Sequence, residues 1–503
     1  MTLSLTALGL IPIVGAVVMC LPLGKAAKGL GLLFSLATLV AAVMVTAVNV
    51  ADAPLADALP WIPAFGTYWA LGLDGMGRVM VVLTAILTPI VLIAEWTMPE
   101  RVGRWSARAF CGLVLLLEGL CLFVFMADDI LLFYLLFEAT LIPMYFLIGG
   151  FGGQRRGHAA TKFLLFGLAG GLIMLVSVIG TYVWSTEVLG RPSYLISDLI
   201  GQSAGALGWP LMICFLIAFA LKAPMVPVHT WLPTAAQEAT PGTSVLMVGI
   251  MDKIGTFGMI KICLVLFPEE SKAAAPVMIV LALISILYGA LAAIGSKHLL
   301  RLVSYTSISH FGFMVLGIYT FTTAGLSGSV FYMVNHGFST AALFLVVGFL
   351  IARRGSPQVA DYGGVARVAP VLAGALLLGG LSGLALPGMS SFVSEFMVLA
   401  AAWSKLPWFG AIAALGTVLA AVYVLLMYQR TMTGPVTDAV REKVTSDLGF
   451  REKLVAFGLV GIMLVLGIAP KIALNTIDPM AAATMTTVQA TDPVAPFASE
   501  ESK

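Results

Sequence analysis

The chain is short of charge. Only 10% of its 503 residues are Asp, Glu, Lys or Arg, against roughly 25% in an ordinary soluble domain. That is too little to cover a water-facing surface, so a soluble multidomain enzyme is excluded. The 27 basic and 25 acidic residues nearly cancel, and no nucleic-acid partner is indicated. Cysteine is scarce as well. All five (Cys20, Cys111, Cys121, Cys214 and Cys263) lie within or at the ends of apolar runs, with no CxxC pair and no Cys/His cluster at metal-ligand spacing. A disulfide-stapled secreted protein is thereby excluded, and no metal site is indicated. A Gly-rich phosphate loop or dinucleotide fingerprint in a strand–helix context is also missing, which leaves no evident place for a nucleotide or redox centre.

Apolar sequence is what the chain has in abundance: 60% of residues are hydrophobic and the mean hydropathy is +1.03. A helix needs about 20 apolar residues to cross a bilayer, and lipid cannot satisfy an unpaired backbone group. Fourteen such runs occur, near 3–21, 29–50, 76–95, 107–126, 130–149, 161–184, 210–231, 244–267, 275–295, 300–320, 328–351, 370–403, 408–430 and 453–470. The first starts too near residue 1, and is followed by too many others, to be a cleaved signal peptide. The expected fold is an all-α polytopic membrane protein of about 14 transmembrane helices. Four segments are expected: 1–106 with three spans and a periplasmic loop at 52–74; 107–267 with spans 4–8; 275–430 with spans 9–13; and 431–503 with the last span and a polar tail.

Loop charge sets orientation. Loops after odd-numbered spans carry 18 of the 27 basic residues, from Lys25 and Arg101 through Arg155, Arg301 and Arg353 to Lys453. The opposite loops and the tail carry five: Arg191, Lys272, Lys405, Lys471 and Lys503. A bacterial inner membrane with both termini away from the cytoplasm follows. The acidic, aromatic 52–74 loop reads as an interfacial cap with short extended segments, and the tail after Pro470 as a surface extension.

A charge near the bilayer centre costs at least ~2.5–3.5 kcal/mol, so each one requires a reason. Glu118, Glu138, Lys222, Lys253, His310, His336 and Glu395 sit well inside spans, with Asp252 and Lys261 nearer an edge. Glu138 reads either as a proton-carrying carboxylate that responds to a nearby cation or as a partner that fixes helix register. Lys222 precedes Pro224 and Pro227, which break the seventh span. Asp252 and Lys253 are adjacent, so their side chains diverge by roughly 100° and both cannot serve one seam; Lys253 reads inward. His310 ends a Ser304, Ser307, His310 ladder, and His336 has Ser339 and Thr340 one turn on. The pair suggests a water-and-proton path more than a metal site. Glu395 stands near a second break at Leu386-Pro387-Gly388. The broken seventh and twelfth spans lie five apart and so run oppositely, as two inverted five-helix repeats would require.

The stretch FALKAPMVPVHTWLPTAAQEATPGTSVLMVGIMDKIGTFGMIK resembles the signature of the antiporter-like subunits of respiratory complex I and of multisubunit cation/proton antiporters. FYLLFEATLIPMYFLIG, SYTSISHFGFM and LPGMSSFVSEF extend the likeness over most of residues 110–400. In that family the twelfth-span position is usually Lys in the L and N types and in antiporter subunits, and Glu in the M type. Glu395, and an end without the long lateral helix of the L type, give the resemblance to the M type. The resemblance implies a proton-translocating module, with Glu138 and Lys222 as input pair, Lys253 as bridge, His310 and His336 as polar axis and Glu395 as exit. It also implies that NADH, FMN, iron–sulfur clusters and quinone are bound by other subunits. The expected partners are the related chains L and N, other membrane subunits and the lipid bilayer. A subunit of a stand-alone cation/proton antiporter is the alternative, and a purely structural membrane subunit a third reading. Glu118, Asp252 and Lys261 receive no role from the motif.

Overall fold

The computed structural model describes residues 4–47, 56–99 and 104–493. Arg101, Lys503 and residues 52–55 of the outer loop lie outside the described residues. The chain is almost wholly helical. Helices α1 (Leu5–Val18) and α2 (Ala27–Ala47) lead to a two-stranded antiparallel hairpin, β1 (Ala56–Ile62) and β2 (Thr67–Gly72). The hairpin supplies the short extended segments expected of that loop. It is followed by α3 (Gly75–Ala94), α4 (Ala107–Met126), α5 (Ile130–Ala139), α6 (Leu141–Phe151), α7 (Arg156–Leu189), α8 (Gly208–Lys222) and α9 (Trp231–Glu238). Short polar side chains start several of these helices, as helix geometry favours. Asp74 accepts from the Gly77 amide at 2.6 Å, and Asp129 from Leu132 at 2.9 Å. Asp129 also accepts from the Tyr68 amide at 2.9 Å, which ties the hairpin to the start of α5.

The eighth span is irregular. Two π-helical stretches, Val245–Met251 and Met259–Leu264, flank a short α-helix, α10 (Lys253–Gly258). Wider turns of this kind concentrate at functional sites. Then come α11 (Pro268–Gly295), α12 (Leu299–Tyr319), α13 (Thr323–Arg354), α14 (Pro370–Gly383), α15 (Ser390–Lys405), α16 (Pro407–Met432), α17 (Phe450–Ile468) and α18 (Lys471–Thr487). Helices α12 and α13 are enclosed on nearly all sides, whereas α2 and α7 expose Leu33, Val40, Leu165 and Leu172. Close approach in the enclosed part depends on glycine. A Cβ at Gly289 of α11 would lie 2.6 Å from the Ser309 amide nitrogen of α12.

Ten helices among the described residues are long and apolar enough to cross a membrane, and α17 with α18, bent by 61°, makes an eleventh candidate. The other expected spans correspond to the 14-residue α1, the interrupted stretch around α10, and the separate halves α14 and α15. Fourteen therefore counts apolar runs, not uninterrupted helices. The tail also differs from expectation. Residues 471–487 form α18, which packs on α3 and α13: Gly75 fits against the Thr476 carbonyl, and beyond the helix Asp492 accepts from the Thr323 amide at 2.7 Å. Ala- and Met-rich sequence supplies the helix propensity, which a reading by polarity alone passes over.

Candidate functional site

Both breaks fall where proline placed them, and each leaves an ionisable group beside it. Lys222 is the last residue of α8. Its helix stops before Pro224, and the freed Leu221 carbonyl accepts from the Trp231 indole at 2.9 Å, which satisfies that acceptor away from lipid. Glu395 lies in α15, just beyond the 384–389 break, and is 3% exposed.

On the first side, Glu138 occupies the last turn of α5, and its carboxylate fills the space that a side chain at Gly171 of α7 would need. A Cβ there would lie 1.8 Å from Oε1. Glu138 and Lys222 make no direct ion pair among the described residues. Lys222 Nζ instead donates to the Thr140 hydroxyl at 3.3 Å, and that hydroxyl donates to the Phe137 carbonyl at 2.7 Å. The ammonium also lies 4.5 Å from the Phe137 ring centroid, a cation–π contact. Asp252 is fully buried, and neither of its oxygens has a hydrogen-bond partner. Lys222 and Lys253 are the two cations within electrostatic reach of it. The two neighbours diverge as their adjacency requires, with Lys253 turned toward His336.

Lys253 faces the other way. Its Nζ donates to the Val248 carbonyl at 2.9 Å and meets His336 Nδ1 at 2.7 Å. The His336 and His310 ring centroids are 5.3 Å apart. His310 Nδ1 is 2.7 Å from the Tyr332 hydroxyl, which donates to Glu395 Oε2 at 2.8 Å. Thr417 of α16 donates to the other Glu395 oxygen. Lys253, His336, His310 and Glu395 are thus brought into one buried row, and Tyr332 and Thr417 belong to it although the sequence did not single them out. The serine ladder is not part of the row. Ser304 and Ser307 donate back to the Arg301 and Val303 carbonyls of their own helix, at 2.7 and 3.2 Å, which is how a hydroxyl in a helix satisfies itself without a neighbour. Ser339 donates likewise to the His336 carbonyl, at 3.4 Å.

Polar groups also mark the two ends of the bundle. At the end bearing Arg155, Arg301 and Arg353, a cavity of about 360 Å³ is lined by Glu95, Gly152, Glu238, Thr240 and His298. Burial first, and Arg301 second, bring the His298 imidazole down to about 4, so it is uncharged at neutral pH. At the opposite end Lys261 pairs with Asp128 at 2.5 Å. Glu118 is 2% exposed in α4 with neither oxygen hydrogen-bonded; nearby Thr88 gives its hydroxyl to the Thr84 carbonyl at 2.9 Å.

Comparison with known proteins gives the family. Residues 127–420 match the family described as "NADH:quinone oxidoreductase/Mrp antiporter, TM". The chain is 45% identical to NADH-quinone oxidoreductase subunit M of Mycobacterium tuberculosis, over 97% of this chain and 95% of that one. It is 36% identical to subunit M of Rickettsia prowazekii, over 82% and 83%. Among solved structures, a chain of respiratory complex I from Thermus thermophilus superposes with a TM-score of 0.85 at 31% identity, covering 96% of this chain and 99% of that one. A chain of the Mrp complex from Dietzia shares the fold, with a TM-score of 0.84 at 22% identity over 97% and 99%. The chain belongs to the antiporter-like membrane subunits of NADH:quinone oxidoreductase, in the subunit M branch.

Proposed function

We propose that this chain is a proton-translocating subunit of NADH:quinone oxidoreductase, coupling quinone reduction elsewhere in the complex to proton movement through its buried axis. The run Lys253–His336–His310–Tyr332–Glu395, enclosed within a lipid-spanning bundle, carries the reading. Titratable groups buried inside membrane spans mark proton relays; here hydrogen bonds join Lys253 to His336 and His310 through Tyr332 to Glu395, and ring contact joins the two histidines. In this reading Glu138 and Lys222 receive the proton, and Thr140 holds the Lys222 ammonium. Lys253 bridges the halves formed by spans 4–8 and 9–13, His336 and His310 carry the proton on, and Glu395 releases it. The chain performs no redox chemistry. NADH, FMN, iron–sulfur clusters and quinone are held by other subunits, and the related chains L and N are its partners. It resides in the bacterial inner membrane with its basic end toward the cytoplasm.

The experiment is Lys253→Ala in the assembled complex, reconstituted in proteoliposomes. Removing the ammonium cuts the row at its bridge, so proton pumping and coupled NADH oxidation should both fall strongly while all subunits co-purify. Wild-type rates of proton pumping and of NADH oxidation in the variant would overturn the reading.

A further inference from the structure

We infer that Tyr332 is itself a proton-transfer residue, its phenol hydroxyl handing protons from His310 to Glu395. The inference deepens the reading above and rests on Glu395 being the proton's destination. Tyr332 is 1% exposed, and its ring is held by Phe313 in a stack of 5.9 Å with an interplanar angle of 9°. A buried phenol needs one hydrogen-bond partner to be satisfied. This one has two, and they are a base and a carboxylate: His310 Nδ1 at 2.7 Å and Glu395 Oε2 at 2.8 Å.

Directions follow from the groups themselves. The hydroxyl donates to the carboxylate, so its oxygen is left to accept from His310 Nδ1–H. That tautomer leaves Nε2 as an acceptor, and it is the nitrogen that the Tyr423 hydroxyl approaches, at 3.5 Å. A proton arriving on Nε2 makes the imidazolium. The Nδ1–H bond then breaks toward the Tyr332 oxygen as the Tyr332 O–H bond breaks toward Glu395 Oε2. One proton leaves the imidazolium and one reaches the carboxylate, while the phenol keeps its single proton and no net charge. Once Glu395 has released its proton, two moves restore the starting state: the hydroxyl rotates back toward the carboxylate, and the imidazole shifts its remaining proton from Nε2 to Nδ1, with no change in net charge. The phenol never has to carry a full charge in a water-poor site, where an isolated charge is costly.

Three variants of the assembled complex test this in proteoliposomes. Tyr332→Phe removes the hydroxyl and keeps the ring on Phe313, and it should lower the pumping rate by about tenfold or more, as loss of a positioned proton-transfer group does. A more acidic fluorotyrosine at position 332 keeps shape and hydrogen bonding; it should change the pumping rate and its solvent deuterium isotope effect. It also decides the matter if Tyr332→Phe does not assemble. Glu395→Gln should stop pumping. If Glu395→Gln is inactive while Tyr332→Phe pumps at the wild-type rate, or while the fluorotyrosine protein is indistinguishable from wild type, the inference is overturned and the wider reading stands. Wild-type pumping in Glu395→Gln would overturn the reading beneath both.

Discussion

Asp252 and Lys253 show how much two adjacent side chains can divide between them. Lys253 reaches His336 in α13, whereas the Asp252 carboxylate makes no hydrogen bond among the described residues and lies within electrostatic reach of Lys222 at the end of α8. One dipeptide thus joins the two halves of the row. The close approach is built by glycine: a Cβ at Gly255 would lie 2.5 Å from the Ala223 amide nitrogen, immediately after Lys222. A unit pair at an effective dielectric of 20 attracts by about 2 kcal/mol even at 8 Å, so a carboxylate here influences both ammonium groups without touching either. Asp252→Asn keeps the volume and removes the charge. We expect pumping in proteoliposomes to slow about tenfold, the effect of about 1.4 kcal/mol on a barrier, with the complex still assembling. A wild-type rate would make Asp252 a packing residue only.

Glu138 depends on the element opposite it. Its carboxylate sits in the notch that Gly171 leaves in α7. Alanine there favours the helix by about 1 kcal/mol over glycine, yet its methyl group would collide with the carboxylate and push it out of the notch. Gly171→Ala is therefore expected to lower pumping severalfold without lowering the melting temperature of the purified complex. A fall in both would point to misfolding, and a fall in neither would mean the notch has no functional role. The elements also show which features could be read in advance. Lys222 and Glu395 were legible because a charge inside an apolar run is costly on its own account, and the breaks beside them because proline cannot continue a helix. Tyr332, Thr140 and Thr417 were not legible, since a hydroxyl within a span can bond its own helix, as Ser304 does. Only the packing of α13 against α12 and α15 gives the Tyr332 hydroxyl two external partners. The π stretches were hidden for a related reason. VLMVGIM and MIKICL contain no proline and one glycine, Gly249, and a single glycine inside an apolar run does not announce a wide turn.

Across the whole molecule, the direction of transport depends on which end faces the cytoplasm. Basic residues gather at one end, where Arg104 donates to the Gly152 carbonyl, Lys162 to the Thr230 carbonyl and Arg353 to the Ser446 and Asp447 carbonyls. The other end carries the hairpin, the Asp128–Lys261 pair and α18. Loops rich in Lys and Arg stay on the cytoplasmic side during insertion, so the basic end should be cytoplasmic and the hairpin end external. A native reporter exists. Cys20 is exposed just beyond α1 at the basic end, whereas Cys111, Cys121 and Cys263 are buried and Cys214 is partly covered. A membrane-impermeant maleimide should therefore label Cys20 in inverted vesicles and leave it unmodified in right-side-out ones. Ser203→Cys, at an exposed position in the loop between α7 and α8 at the hairpin end, should give the opposite pattern in a Cys20→Ser background. Labelling of both positions with the sidedness reversed would invert the axis, and Glu395 would then take protons up where the present orientation has it release them.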